Sequence, residues 1–364
     1  MKDSTKALLG KLENMIGEGH IHKTRELQRK SARFEAVERT PAVIIYGVPE
    51  EEWPSFSYLE IFDDMEKMLL SELRDVYLGA KLKDDRLFGI RGNYGTGIIA
   101  SLFGCPVFTF DQMLPCAKEV GGTDAIRGIV ERGVPDIRGG VCGKALDTVA
   151  YFRETLRDYP KLFKNVGSTL LDIQGTFDNA SIIWGNEVFV AAYEEPELLN
   201  GLMDVVTQTI RAVILEHRRI DGQEPGDDRG VFESIGGLTL RNDSCINLSG
   251  PMYEELVKPY DARLIGEFTG NIHFCGKAHQ WWKRLLDIPG LKAINPYQGE
   301  FYDLGEMFEE CSRHEVSIFQ WTAPVGAKER ELIKTGFSRL VFTSGDFEHA
   351  RRMLDKAHET GWCD

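Results

Sequence analysis

The stretch "NIHFCG" (271–276) holds the pair of residues best equipped for chemistry: His273 and Cys275 stand two apart in a short apolar run that ends at glycine. On a strand, residues i and i+2 project from one face, so an imidazole nitrogen and a thiolate sulfur can reach a single ion. Zinc suits such a pair, with nitrogen bound at about 2.0 Å, sulfur at about 2.3 Å, and a position left for substrate when the protein supplies three ligands. The competing reading is a core pair, with Cys275 packed as a small hydrophobe and His273 hydrogen-bonded internally. A third ligand has to come from another segment, and Asp243, at the end of the preceding candidate strand, is the best-placed acid; Glu233 and Glu267 are weaker options. Asp243 could instead work as a general acid, pair with Arg91 or cap the segment that follows. A second histidine pair, His20 and His22 in "GEGHIHK", reads as a solvated loop.

These residues need a scaffold that gathers strand ends. After Pro41 the chain alternates β-rich runs with helical stretches, and the runs number eight: 42–47, 86–93, 168–175, 236–243, 271–276, 291–297, 316–321 and 339–344. Helices are expected over 59–78, 188–219, 251–266, 277–287, 302–313, 326–336 and 346–359. Such alternation marks parallel βαβ units, and eight of them close a barrel. The expected fold is α/β, a (β/α)8 TIM barrel with an N-terminal helical extension. Residues 1–40, with Leu8, Leu9, Leu12, Met15 and Ile16 at helical spacing, make the extension. Residues 41–364 make the single barrel domain, with a long insertion at about 94–167. "GTGIIA" (95–100) matches a dinucleotide-binding pattern, but Gly104 and Pro106 stop any helix after about one turn, which favours a tight loop.

In a barrel, chemistry collects at the C-terminal ends of the strands. Here those ends are polar nearly throughout: Tyr46, Arg91 with Asn93, Asp172 with Gln174, Asn242 with Asp243, His273 with Cys275, Asn295, Gln320 with Trp321, and Ser344. From this set Asp243, His273 and Cys275 are the candidate catalytic and metal-binding residues. Arg91, Asn93, Tyr94, Gln174, Asn242, Gln320 and Trp321 are the candidates for holding a substrate. Tyr94, Phe177, Trp184, Trp281 and Trp321 lie near the loops above the strand ends, where aromatic rings could wall a ligand.

Composition narrows the partners. The net charge is −14 and the basic residues are scattered, so a nucleic-acid backbone finds no basic stripe. No run approaches the roughly 18 apolar residues of a membrane span. Seven cysteines without framework spacing fit a reducing compartment, and the expected location is the cytoplasm. A homodimer is compatible with the chain.

From about residue 30 to 360 the sequence resembles the uroporphyrinogen decarboxylase superfamily. The resemblance rests on "RKSARFEAVERTPAVIIYG" leading into the first strand, on "RNDSCINLSGPMYEELVKPYDARLI", and on "IHFCG" in the next strand. It implies a barrel and one of two chemistries. The decarboxylase branch grips a polyanionic tetrapyrrole with arginines after the first strand, but here "IIYGVPEEEWPSF" offers Glu50, Glu51 and Glu52 instead. The corrinoid methyltransferase branch carries H-x-C-G on this strand as zinc ligands, which maps onto His273 and Cys275. Its further cysteine after the last strand has no counterpart: Ser344 and Asp346 stand there, and Cys311 and Cys363 lie elsewhere. The resemblance thus implies transfer of a methyl group from a small methylated or methoxylated substrate to a corrinoid on a partner protein, with zinc as Lewis acid. Two alternatives stay open: a metal-free decarboxylase or lyase using Asp243 and Arg91, and a non-catalytic protein that binds a corrinoid or tetrapyrrole.

Overall fold

Short β-branched and apolar runs bounded by turn residues form ten strands: β1 (Ala42–Ile45), β2 (Gly89–Ile90), β3 (Val107–Phe108), β4 (Cys116–Ala117), β5 (Gly167–Ser168), β6 (Leu238–Arg241), β7 (Gly270–Phe274), β8 (Leu291–Pro296), β9 (Ser317–Trp321) and β10 (Phe337–Thr343). They are seen in a computed structural model that describes residues 1–222, 237–332 and 335–361. Six strands pair in the order β1-β10-β9-β8-β7-β6, all parallel, and β2 pairs with β5 in a separate parallel sheet. The remaining two, β3 and β4, form a small antiparallel hairpin inside the expected insertion. Each of the eight expected runs therefore overlaps a parallel strand, although 168–175 meets β5 only at Ser168. The arrangement is TIM-like, but the backbone ladder does not close into the expected barrel, because it is interrupted between β1 and β2 and between β5 and β6.

Hydrogen bonds outside the ladder bridge both interruptions, through side chains at the first and through backbone at the second. At the first, the Asp85 carboxylate accepts the Ala42 N–H at 2.8 Å and the Asp84 carboxylate accepts the Ile44 N–H at 2.9 Å. Arg86 completes the exchange by donating to the Ile44 carbonyl at 2.7 Å and to Asp84 at 3.0 Å. A Cβ on Gly79 would sit 2.5 Å from the Arg86 side chain, so only glycine lets the helix Met65–Leu82 pack over this bridge. At the second, Gly175 N–H donates to the Arg241 carbonyl at 2.8 Å, an approach that a Cβ would block by meeting Asn242 at 2.2 Å.

The extension forms helices Asp3–Met15 and Glu18–Ala32, whose Leu9, Leu12, Ile16 and Ile21 join the same buried core as the strands. His20 and His22 lie on the second helix and not in a loop. His20 Nε2 is 2.8 Å from the Asp84 carbonyl, which pins that helix to the β1–β2 bridge. The expected helix 277–287 is also corrected. Its backbone is tied from outside, with Ala278 N–H donating to the Tyr302 hydroxyl and the Trp281 indole to the Cys245 carbonyl, and only a single 3-10 turn forms at Trp282–Leu285. Around "GTGIIA" the short helix Ile98–Leu102 follows the turn, and Gly95 and Gly97 press against the hairpin at Pro115 and Ala117.

The helix Pro196–Asp221 is long and apolar enough to cross a membrane by length and composition, a correction to the reading that no segment qualifies. In the fold, 61% of its most apolar window is buried, as expected of a core helix. Within it, His217 is buried beside the Ser168 hydroxyl and the Thr169 carbonyl, each 3.1 Å from Nε2. Burial pushes this imidazole down to about 4.

Two outcomes follow for stability. Replacing Asp84 by alanine leaves the Ile44 N–H without its acceptor and Arg86 with the exposed Asp75 as its remaining acidic partner, and denaturant titration should show a loss of about 3–5 kcal/mol. The folded-state value of His217 lies below its unfolded value of about 6.5, so its neutral form supports the fold above pH ~6.5. That support declines as pH falls toward 4, by roughly 3 kcal/mol in all. Chemical denaturation across this window should show a shallower acid slope for His217→Gln than for the wild type; parallel slopes would refute the assignment.

Candidate metal centre and adjoining cleft

The parallel register sets His273 beside Arg241 of β6 on one side and beside Asn295 of β8 on the other. Alternation then places Cys275 on the same face as His273, one pleat further on. Asp243, two residues beyond Arg241, completes a cluster whose ligand atoms all lie within 4.8 Å of one another. His273 Nε2 is 3.3 Å from Cys275 Sγ and 3.4 Å from Asp243 Oδ1. A tetrahedral zinc with ligands at about 2.0–2.3 Å requires separations of about 3.3–3.6 Å, so the nitrogen, sulfur and oxygen donors fit that ion in type and spacing.

Neighbouring groups orient each donor. Asn295 Nδ2 donates to the Gln320 carbonyl, which turns its Oδ1 toward His273 Nδ1 at 2.7 Å. An amide oxygen only accepts, so Nδ1 carries the proton and Nε2 keeps its lone pair toward Cys275 and Asp243. The Cys275 N–H donates to Asp243 Oδ1 at 2.8 Å. From the helix Thr176–Trp184, the Asp178 carboxyl accepts the N–H groups of Asp243 and Ser244, both at 2.8 Å, and so fixes the turn that presents Asp243.

The local electrostatics suit a cation. Burial alone would raise the Asp243 carboxyl, but its contacts with His273 and Cys275 outweigh burial and hold it below the ordinary range. Burial, reinforced by Asp243, pushes the Cys275 thiol up to about 12, and burial beside Asp243 pushes Asp178 up to about 8. A bound cation reverses the balance at the sulfur, because a coordinating thiol is deprotonated outright.

Two spaces flank the cluster. A cleft of about 820 Å³ is lined by Ile45, Tyr297, Gln320, Trp321, Phe342 and Thr343, at the ends of β1, β8, β9 and β10. The Tyr297 ring lies 5.9 Å from the His273 ring, which joins this cleft to the cluster. Gln320 Oε1 accepts from Arg339, and the Trp321 indole N–H has no acceptor among the described residues. On the other side, a cavity of about 350 Å³ is lined by Glu72, Arg91, Asn93, Asp172 and Arg241, among others. Here Asp172 lies 3.5 Å from Arg91 and 3.3 Å from Arg241, and Gln174, at φ +54°, donates to it.

Other expected site residues are placed away from both spaces. Tyr94 is fully buried, with its hydroxyl 2.8 Å from Thr148 Oγ1 and its ring against Phe62. Asn242 points outward and donates to Asp261 at 2.7 Å, joining Tyr253 in a buried anchor for the helix Lys258–Phe268. Phe177, Trp184 and Trp281 are core residues. Among the alternative acids, Glu267 pairs with Arg211, and Glu233 lies outside the described residues, as does Cys363. Asp346 caps the last helix through His349 N–H, and Cys311 is buried in the helix Leu304–Arg313. Sequence reasoning missed Glu72, Asp178 and Arg241. Only Arg241 carried a signal, its two-residue spacing from Asp243 in a predicted strand.

The fold and cluster together define a TIM-like α/β protein with a metal-type donor set at its strand ends. The sequence matches no protein-family model and no curated protein. Among solved structures it is similar in fold to a methyltransferase from Methanosarcina mazei, with a TM-score of 0.64 and 13% identity over 92% of this chain and 97% of that one.

The histidine's orientation is testable on its own. Asn295→Leu removes the acceptor at Nδ1 and should weaken zinc binding about 10- to 100-fold in chelator competition. An unchanged affinity would show that Asn295 does not set the tautomer.

Proposed function

We propose that this protein is a methyltransferase that moves a methyl group from a small methylated or methoxylated substrate to a corrinoid carried by a partner protein. The observation that carries the reading is the convergence of Asp243, His273 and Cys275 at the strand ends. The shared fold with a protein titled a methyltransferase adds support. Asp243, His273 and Cys275 would hold zinc, which when bound supplies Lewis acidity toward the heteroatom carrying the methyl group.

The chain's own residues do the positioning. Asn295 holds the histidine tautomer, while Asp178 and the Cys275 N–H aim the carboxylate. Three protein donors would leave a bound zinc accessible to the substrate heteroatom. Tyr297, Trp321 and Phe342 give the cleft apolar walls that exclude water from the methyl group, and the Trp321 N–H, which has no acceptor among the described residues, would serve a polar group of the ligand. The heteroatom that loses the methyl group keeps the electron pair of the broken bond, a charge that zinc held by Asp243, His273 and Cys275 would offset. The open strand-end face admits the partner, and the net charge of −14 and the unframed cysteines agree with a cytoplasmic protein.

Metal analysis of the purified protein should give close to one zinc per chain. Spectral assays of cob(I)alamin methylation across methoxyaromatic and methylamine donors should find activity that His273→Ala and Cys275→Ser each reduce at least about 100-fold. A zinc-free protein, or wild-type transfer rates in His273→Ala, would defeat the proposal.

A further inference from the structure

We infer that the cavity between β2, β5 and β6 binds a carboxylate of the methyl donor, so that the substrates are small methylated or methoxylated carboxylic acids. The inference rests on the proposed methyl transfer for its reaction, and on different residues for its evidence. Arg91 and Arg241 both face this space and share one partner, Asp172. Neither contact is a tight bidentate pair, which brings two N–H···O bonds to about 2.7–2.9 Å. Neither guanidinium makes another side-chain hydrogen bond among the described residues, so most of their donors are left for a ligand.

The ion pairing agrees. Two guanidinium groups share one carboxylate, Asp172. The third acid lining the space, Asp75, is largely exposed and committed to Arg86. Glu72 accepts from the Arg91 N–H and Asn93 Nδ2, and desolvation raises its carboxyl from the ordinary value. Arg91 and Arg241 share Asp172 as their acidic side-chain partner, and a ligand carboxylate would give the pair a second acceptor. Asn93 Oδ1 is also buried with no donor among the described residues, as a cavity built for a polar guest would show.

Position links this space to the metal cluster. Arg241 is the register partner of His273 across β6 and β7, and paired residues in a parallel sheet project from the same face about 4.8 Å apart. A donor whose carboxylate sits on Arg241 and Arg91 therefore extends its other end past Asp243 and His273. Asp172 acts as a placeholder that keeps the two arginines apart and oriented when the cavity is empty.

The test is calorimetric binding to zinc-loaded, full-length protein without corrinoid, using 4-methoxybenzoate against 4-methoxybenzamide and N,N-dimethylglycine against its amide. At least one acid should bind about tenfold or more tighter than its amide, and Arg241→Gln and Arg91→Gln should each remove that preference. Asp172→Asn should tighten binding of the acid about threefold or more, a gain that misfolding cannot imitate. Equal binding of acid and amide, no binding of either acid at millimolar concentration, weaker binding in Asp172→Asn, or equal displacement of the acid by inorganic phosphate would each overturn the inference. If the preference and the Asp172→Asn gain hold but no donor methylates cob(I)alamin, the carboxylate site stands and the methyltransferase reading falls. If acid and amide donate methyl groups equally well, the reading stands and the carboxylate site falls.

Discussion

Buried carboxylates replace missing strand neighbours, and the rest of the molecule depends on that substitution. A parallel strand without a neighbour exposes N–H and C=O groups that must find partners once buried. At the β1–β2 interruption, Asp84, Asp85 and Arg86 satisfy those groups while the helix Met65–Leu82 closes over them. At the β5–β6 interruption, Asp178 takes two N–H groups of the turn after β6, and Asp172 ties Arg91 to Arg241. The scaffold thus places ionisable groups at its strand ends for architectural reasons, and the candidate site is assembled among them.

The result is an asymmetric face. Toward β1, β8, β9 and β10 the strand ends open onto a cleft with tyrosine, tryptophan and phenylalanine in its wall. Toward β2, β5 and β6 they enclose arginines and acids. Asp243, His273 and Cys275 stand between the two, on the β6–β7 boundary. A ligand lying across this boundary meets a polar anchor, a candidate electrophile and an apolar wall in sequence. The proposed substrate, a methylated small molecule with one charged end, would match that order.

Much of this was legible where the argument needed only local periodicity. The eight runs contain strands because alternation and β-branching declare them over a few residues, and His273 and Cys275 share a face because the period is two. Asp243 meets them because consecutive parallel strands are neighbours. The failures lie where parity or distance decides. Asn242 sits one residue past β6, so its side chain turns outward to Asp261 while Asp243 turns inward. Tyr94 follows a strand of only two residues, and its backbone has already turned toward Thr148. Glu72 and Asp178 come from helices, and their approach to the strand ends depends on the two interruptions, which no local pattern encodes. The run 277–287 looked helical by composition, but contacts from Cys245 and Tyr302 hold it otherwise.

The absent third cysteine acquires a physical meaning in this setting. A carboxylate carries the same formal charge as a thiolate but is a harder and less electron-donating ligand. A cation held by Asp243, His273 and Cys275 would keep more of its positive charge than one held by two thiolates and a histidine. A more electrophilic centre is what an oxygen or nitrogen leaving group requires, since these are released less readily than sulfur. The aspartate is also better supported here than a cysteine would be: the Cys275 N–H holds its oxygen, and Asp178 fixes the backbone on either side of its carbonyl. On the proposed reaction, this donor set and its supports would favour methyl donors with hard leaving atoms over thioethers.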